Sequence, residues 1–149
     1  MKKLFFPVLL VAASIISCSS TPNVSDLTDK DWKLIKVHVA GADTLFSRDS
    51  LPKIGGEDYF TLKVDGQTLS GKGAPNLYSG PYTQNSDKTI SVKPLRSTLM
   101  AAIFEPDTLK EHDFYAYLQN AYEWKIVKNN LEINSKTKDG KDVRLVFSL

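Results

Sequence analysis

Nucleophile, general base and metal ligand are the first roles to look for, and the sequence offers few residues for them. Ser135-Lys136-Thr137-Lys138 has the spacing of a serine nucleophile with a lysine base. Its polar surroundings predict a turn in which neither group is buried and the lysine keeps its ordinary basicity. No Gly-x-Ser-x-Gly elbow occurs. His38 and His112 stand far apart, without a His-x-x-x-His or cysteine partner, so no zinc site is expected. His112 lies between Glu111 and Asp113, and a solvated first helical turn, where acids suit the helix dipole, explains that trio. Lys125, Lys128, Lys136, Lys138 and Lys141 crowd together, but Glu123, Glu132, Asp139 and Asp142 interleave with them. That pattern predicts an exposed sheet face of mixed charge. With 19 Lys plus Arg against 17 Asp plus Glu in 149 residues, the chain lacks the positive field that nucleic acid requires. These residues predict a protein that is not an enzyme and uses no cofactor.

The one cysteine is different. Cys18 excludes an internal disulfide. It follows Met1-Lys2-Lys3, an apolar run from Leu4 to Ala13, and Ile15-Ile16-Ser17. The run is too short to span a bilayer and has the flanks of a secretory signal. Branched apolar residues, a small residue and then Cys resemble a bacterial lipobox, where the sulfur takes diacylglycerol before the peptidase cuts ahead of it. Residues 1–17 are therefore expected to be a lipoprotein signal peptide, with Cys18 lipidated. Two or three acyl chains, at about 0.8 kcal/mol per buried CH₂, make a lasting membrane anchor. Ser19 stands where an Asp would signal inner-membrane retention, which predicts the outer membrane. Cutting before Cys18 removes Lys2 and Lys3 and no acid, so the mature chain is neutral. Residues 18–29 are polar and without period, and read as lipidated Cys and tether, leaving 30–149 as one domain.

Strands dominate that domain. Phe60, Leu62 and Val64 alternate with polar residues, and Asp65-Gly66 supplies a tight hairpin turn. Ile90 and Val92 alternate likewise. Tyr122, Trp124 and Ile126 lead through Asn129-Asn130 to Leu131-Glu132-Ile133, and Asp139-Gly140 turns the chain into Val143, Leu145 and Phe147. The end of the chain is thus a three-stranded meander. Trp32 to Val39 is apolar on both faces and should be central. Thr108-Leu109-Lys110-Glu111 has the form of a capping box after Pro106, and Phe114, Tyr117, Leu118 and Ala121 make one stripe of a helix of roughly 14 residues. The expected class is α+β: a curved, half-barrel-like antiparallel sheet packed on a single helix. Trp32, Leu62, Ile90, Trp124, Leu145 and Phe147 should share a core with Phe114 and Leu118.

Gly71-Lys72-Gly73-Ala74-Pro75-Asn76-Leu77-Tyr78-Ser79-Gly80-Pro81-Tyr82 reads as a tight, specifically shaped connection. It resembles the Gly-x-x-Gly-Cys-Asn-x-aromatic-Ser-Gly-x-Tyr signature of the META domain, the HslJ-like family of small bacterial envelope proteins. Thr98-Leu99-Met100-Ala101-Ala102 is similar to the family's Thr-x-Met-x-Cys element, and Asp31-Trp32-Lys33-Leu34 to its first strand. Leu131-Glu132-Ile133 and Arg144 to Phe147 resemble its last hairpin, so the likeness runs from about Leu27 to Leu149. The chain lacks both family cysteines and both arginines of these elements. Asn76, Ser79, Gly80, Tyr82, Thr98 and Met100 remain as the candidate site residues, to be read as turn and packing residues or as a ligand site. If the family cysteines pair, the resemblance implies that Pro75 and Ala102 are neighbours in space.

The resemblance also implies a part in envelope stress or antibiotic tolerance. The expected partners are the membrane, through the lipid, and an envelope protein or ligand. The alternative is a carrier of a small apolar ligand, or a pilot-like chaperone. An interior void of several hundred Å³ would mark the carrier, and an interior filled by Trp32, Trp124, Phe60 and Phe114 would not.

Overall fold

The structure is a computed structural model that describes residues 27–51, 58–85, 87–101 and 105–149. The signal-peptide expectation and Cys18 lie outside these residues, as does Ala102.

Period-2 alternation produces most of the architecture. In chain order the strands are β1 (Asp31–Val39), β2 (Thr44–Ser47), β3 (Thr61–Asp65), β4 (Thr68–Lys72), β5 (Leu77–Gln84), β6 (Ile90–Val92) and β7 (Arg96–Ser97). The helix α1 (Glu111–Gln119) follows, then β8 (Glu123–Val127), β9 (Asn130–Lys136) and β10 (Asp142–Ser148). They form one antiparallel sheet in the order β6-β5-β4-β3-β1-β10-β9-β8, with β2 added to β1 and β7 added to β5. The two ends of this path meet. Ile90 N–H donates to the Tyr122 carbonyl at 3.1 Å and Trp124 N–H to that of Lys88 at 3.0 Å, around a bridge between Thr89 and Glu123. The curved sheet is therefore a nearly closed half-barrel with α1 packed on it, and the α+β expectation holds.

β1 is central, as its apolar sequence predicts, paired to β3 on one side and β10 on the other. A bulge between Leu34 and Lys36 lets Trp32, Leu34 and Val37 all face inward. Arg48 sits over this irregularity. Its Nε donates to the Leu34 carbonyl at 2.7 Å, and its guanidinium also reaches the carbonyls of Tyr59 and Phe60. Burial lowers its pKa.

The core joins Trp32, Leu62, Ile90, Trp124, Leu145 and Phe147 to Phe114 and Leu118 in one cluster. Phe60 makes edge contacts with Phe46 at 5.4 Å and Phe114 at 5.2 Å, and Phe114 meets Tyr78 at 5.8 Å. Packing fixes α1 through Phe114, Tyr117 and Leu118.

Several expectations are corrected. Leu27, assigned to the tether, is 2% exposed and accepts the Trp32 indole N–H at 3.1 Å, so the folded part includes Leu27 to Asp29. The helix has nine residues, and its N-cap is Lys110 without a side-chain cap bond. The capping box does not form, because the Glu111 carboxylate is engaged elsewhere. The Glu105 carboxylate instead accepts the Glu111 N–H at 2.7 Å. Asp139-Gly140 lies in the β9–β10 connection as expected, but two other hairpin turns sit one residue from their expected places: Gly66-Gln67 joins β3 to β4, and Lys128-Asn129, both at positive φ, joins β8 to β9. Most of the expected connection Gly71–Tyr82 is strand. Tyr78, Gly80 and Tyr82 face inward while Leu77, Ser79 and Pro81 face out. Its alternation is hidden because one inward position is glycine, where a Cβ would meet Leu95 Cδ2 at 2.7 Å.

Candidate functional site

What remains of the expected connection is a short loop, Gly73 to Asn76, with a cis peptide at Ala74–Pro75. Asn76 closes it and is buried. Its Oδ1 accepts the Thr98 hydroxyl at 2.8 Å and the Met100 N–H at 2.7 Å. Its Nδ2 donates to Glu111 Oε2 at 2.7 Å and to the Met100 carbonyl at 3.3 Å. Both acceptor directions and both donor hydrogens of the amide are thus used, which is what burial of such a group requires.

Glu111 completes the arrangement from the first turn of α1. Its Oε1 accepts the N–H groups of Ala74 at 2.6 Å and Asn76 at 2.7 Å. Tyr115, one turn further, donates its hydroxyl to the Asn76 carbonyl at 3.2 Å. Burial, with the Glu111 charge nearby, raises the Tyr115 pKa far above the ordinary phenol range, so this hydroxyl remains a donor. Gly73 leaves the room: a Cβ there would collide with Glu111 Oε1 and the Tyr115 hydroxyl. Loop, helix and the 98–100 segment are latched together through one carboxylate and one amide.

The candidate residues divide accordingly. Asn76 and Thr98 are in the latch, the Thr98 hydroxyl also accepting the Leu77 N–H at 3.2 Å. Met100 contributes only backbone, its side chain being half exposed. Gly80 and Tyr82 are packing residues, the Tyr82 hydroxyl donating to the Gly66 carbonyl at 3.0 Å. Ser79 stands apart on the outer face of β5. The connection does pack against the segment from Thr98, but the Pro75–Ala102 neighbourhood falls on a residue outside those described. Glu111, Tyr115 and Glu105 are partners that linear reading missed. Nothing in the sequence links Asn76 to a carboxylate 35 positions away.

The other residues weighed for chemistry are accounted for. Ser135, expected in a polar turn, is instead fully buried in β9 and donates its hydroxyl to the Tyr117 carbonyl at 2.6 Å. The β9 alternation carries it inward, away from exposed Lys138. His112 lies exposed, 3.2 Å from Asp113. His38 is on β1, its pKa lowered by burial and then by Arg144 and Lys36. Among the described residues no group of three His, Cys, Asp or Glu gathers as a metal site, and no helix is long and apolar enough to cross a membrane.

The barrel interior is filled. The void bounded by Leu27, Leu62, Val64, Tyr82, Trp124 and Ile133 holds about 10 Å³. That is room for one water at most, and its walls are apolar.

These features define a small half-barrel domain with a filled core, its loop from Gly73 to Asn76 latched to α1. The chain belongs to the META domain family, whose model matches residues 25–147. Two solved structures share the fold. A protein from Burkholderia xenovorans, solved by NMR, has a TM-score of 0.54 at 16% identity, covering 95% of this chain and 99% of that one. A DUF4847 family protein from Bacteroides vulgatus, solved by crystallography, has a TM-score of 0.55 at 14% identity, covering 83% and 94%. No curated protein matches the chain.

Proposed function

We propose that this protein is a lipid-anchored lipoprotein of the bacterial outer membrane whose META domain is a non-catalytic recognition module, serving the envelope under stress. The observation that carries the module reading is the filled interior: about 10 Å³ offers no place for an apolar cargo. A carrier would need a cavity of several hundred Å³. Recognition is therefore assigned to the outer surface. The latch supports the same reading, since Asn76, Thr98 and Glu111 are bonded to one another and the Asn76 amide has no donor or acceptor over for a substrate.

The anchor rests on Lys2-Lys3, the apolar run and Cys18. Mass spectrometry of the mature N-terminus tests it: the expected product begins at Cys18 with acyl mass on the residue. Cys18→Ala should release the protein from the membrane fraction. A free thiol at Cys18, or cleavage elsewhere, would overturn the anchor.

A further inference from the structure

The outer face of the sheet carries an arrangement that the latch and the core leave unused. Strand register aligns five side chains in one row: Asp31 opposite Lys63, Lys63 opposite Ser70, Ser70 opposite Ser79, and Ser79 opposite Arg96. The next row runs Thr61, Lys72, Leu77 and Thr98, joined by the Lys72 N–H on Thr61 Oγ1 at 3.0 Å and the Thr98 N–H on the Leu77 carbonyl at 3.0 Å. The long side chains of Lys63 and Arg96 on either side of two serines leave a depression in the first row. The two rows line an open cleft of about 700 Å³.

The chemistry of the lining is specific. Lys63, Lys72 and Arg96 face it, against Asp31 and Asp58. Lys72 is held by Asp58 at 2.6 Å, whereas Lys63 and Arg96 form no ion pair among the described residues. Three strand spacings set Lys63 and Arg96 about 14 Å apart. Each side chain is long enough to cover half that span, so both cations can meet one group placed between them. The hydroxyls of Ser70, Ser79 and Ser97 add neutral donors at the same place. Two cations and several hydroxyls suit a group with a double negative charge and several acceptor oxygens. Asp31, at the Lys63 end, suits the hydroxyls of the remainder of such a ligand.

We propose that this face of β3, β4, β5 and β7 is a binding site for a phosphate ester, with the phosphate seated over Ser70 and Ser79 between Lys63 and Arg96. The proposal deepens the reading that the domain works through its outer surface, and it does not depend on acylation of Cys18. Soluble sugar phosphates and the phosphomonoester headgroup of phosphatidic acid share this chemistry.

The test is a titration of the full chain with glycerol 3-phosphate, followed by the backbone amide signals of Ser70, Ser79 and Arg96. A parallel arm measures binding to vesicles containing phosphatidic acid, with phosphatidylcholine vesicles as reference. Saturable shifts confined to the row are expected, weakened about tenfold or more by Lys63→Gln combined with Arg96→Gln. Ser79→Leu keeps every charge and fills the depression, and should abolish binding in both arms. Lys125→Gln, on the far hairpin, should change nothing. Vesicle binding without glycerol 3-phosphate binding assigns the site to headgroups, and the reverse assigns it to soluble esters. Shifts that never saturate, or that survive Ser79→Leu, would overturn the site. Acylation of Cys18 with no binding in either arm would overturn this site alone and leave the anchor standing.

Discussion

At the scale of the residue, the chain spends its polar groups on positioning itself. Asn76 is legible in the sequence because the family signature keeps it, yet its role is not. Its partner Glu111 fits a helix-capping pattern equally well, and only the fold brings the two together. Arg48 is a similar case: the carbonyls it satisfies lie where β1 passes from pairing with β3 to pairing with β2, a gap that no local pattern announces. His38 offers a prediction with a definite sign. Burial, then Arg144 and Lys36, lower its pKa from 6.5, against a smaller upward pull by Glu132. The unfolded chain therefore binds the proton first as pH falls. Stability should decline as pH drops through about 6.5, with the loss complete below the folded midpoint. Denaturant titrations across pH 5–8 should show this decline, and His38→Gln should flatten it. A wild-type profile no steeper than that of the variant would contradict it.

At the scale of the element, period-2 alternation made β3, β6 and the closing meander readable, because apolar residues recur at every second position of each. β5 was obscured by an inward glycine and an outward proline, which look like a loop until Leu95 is seen filling the space over Gly80. Two turns moved by one residue because register follows cross-strand packing, so Lys128 joins Asn129 in the left-handed region while Asn130 opens β9. The helix start is the clearest departure. Thr108 has the right type and spacing for a cap, but Glu105 holds the Glu111 N–H. Thr108→Ala should therefore change stability by less than about 0.5 kcal/mol, whereas Glu105→Gln should cost about 1 kcal/mol. Thermal or denaturant unfolding of the two variants separates them. The opposite ranking would restore the capping box.

At the scale of the whole molecule, the ends of the sheet meet around a core of tryptophan and phenylalanine side chains in which the described residues leave a void of only about 10 Å³. The same fold persists in proteins at 14–16% identity, which is how a solid core behaves when size and pattern are kept. Trp124 is 1% exposed and its indole N–H has no hydrogen-bond partner among the described residues, so its contribution is shape and area. Trp124→Ala should cost about 3–5 kcal/mol through lost transfer energy and the cavity left behind. A loss below about 1 kcal/mol in denaturant titration would mean that the core collapses around the site or that Trp124 is not part of it.

The central claim is that the family-signature residues hold the loop to the helix rather than hold a ligand. A double-mutant cycle on Asn76→Ala and Glu111→Ala, read by equilibrium denaturation, tests it most directly. Each single change strands buried partners of the other and should cost about 2–3 kcal/mol. The pair should cost less than the sum, with a coupling of about 1–2 kcal/mol. If Asn76→Ala unfolds within about 0.5 kcal/mol of the wild type and the two changes simply add, the latch is not structural and the claim is wrong.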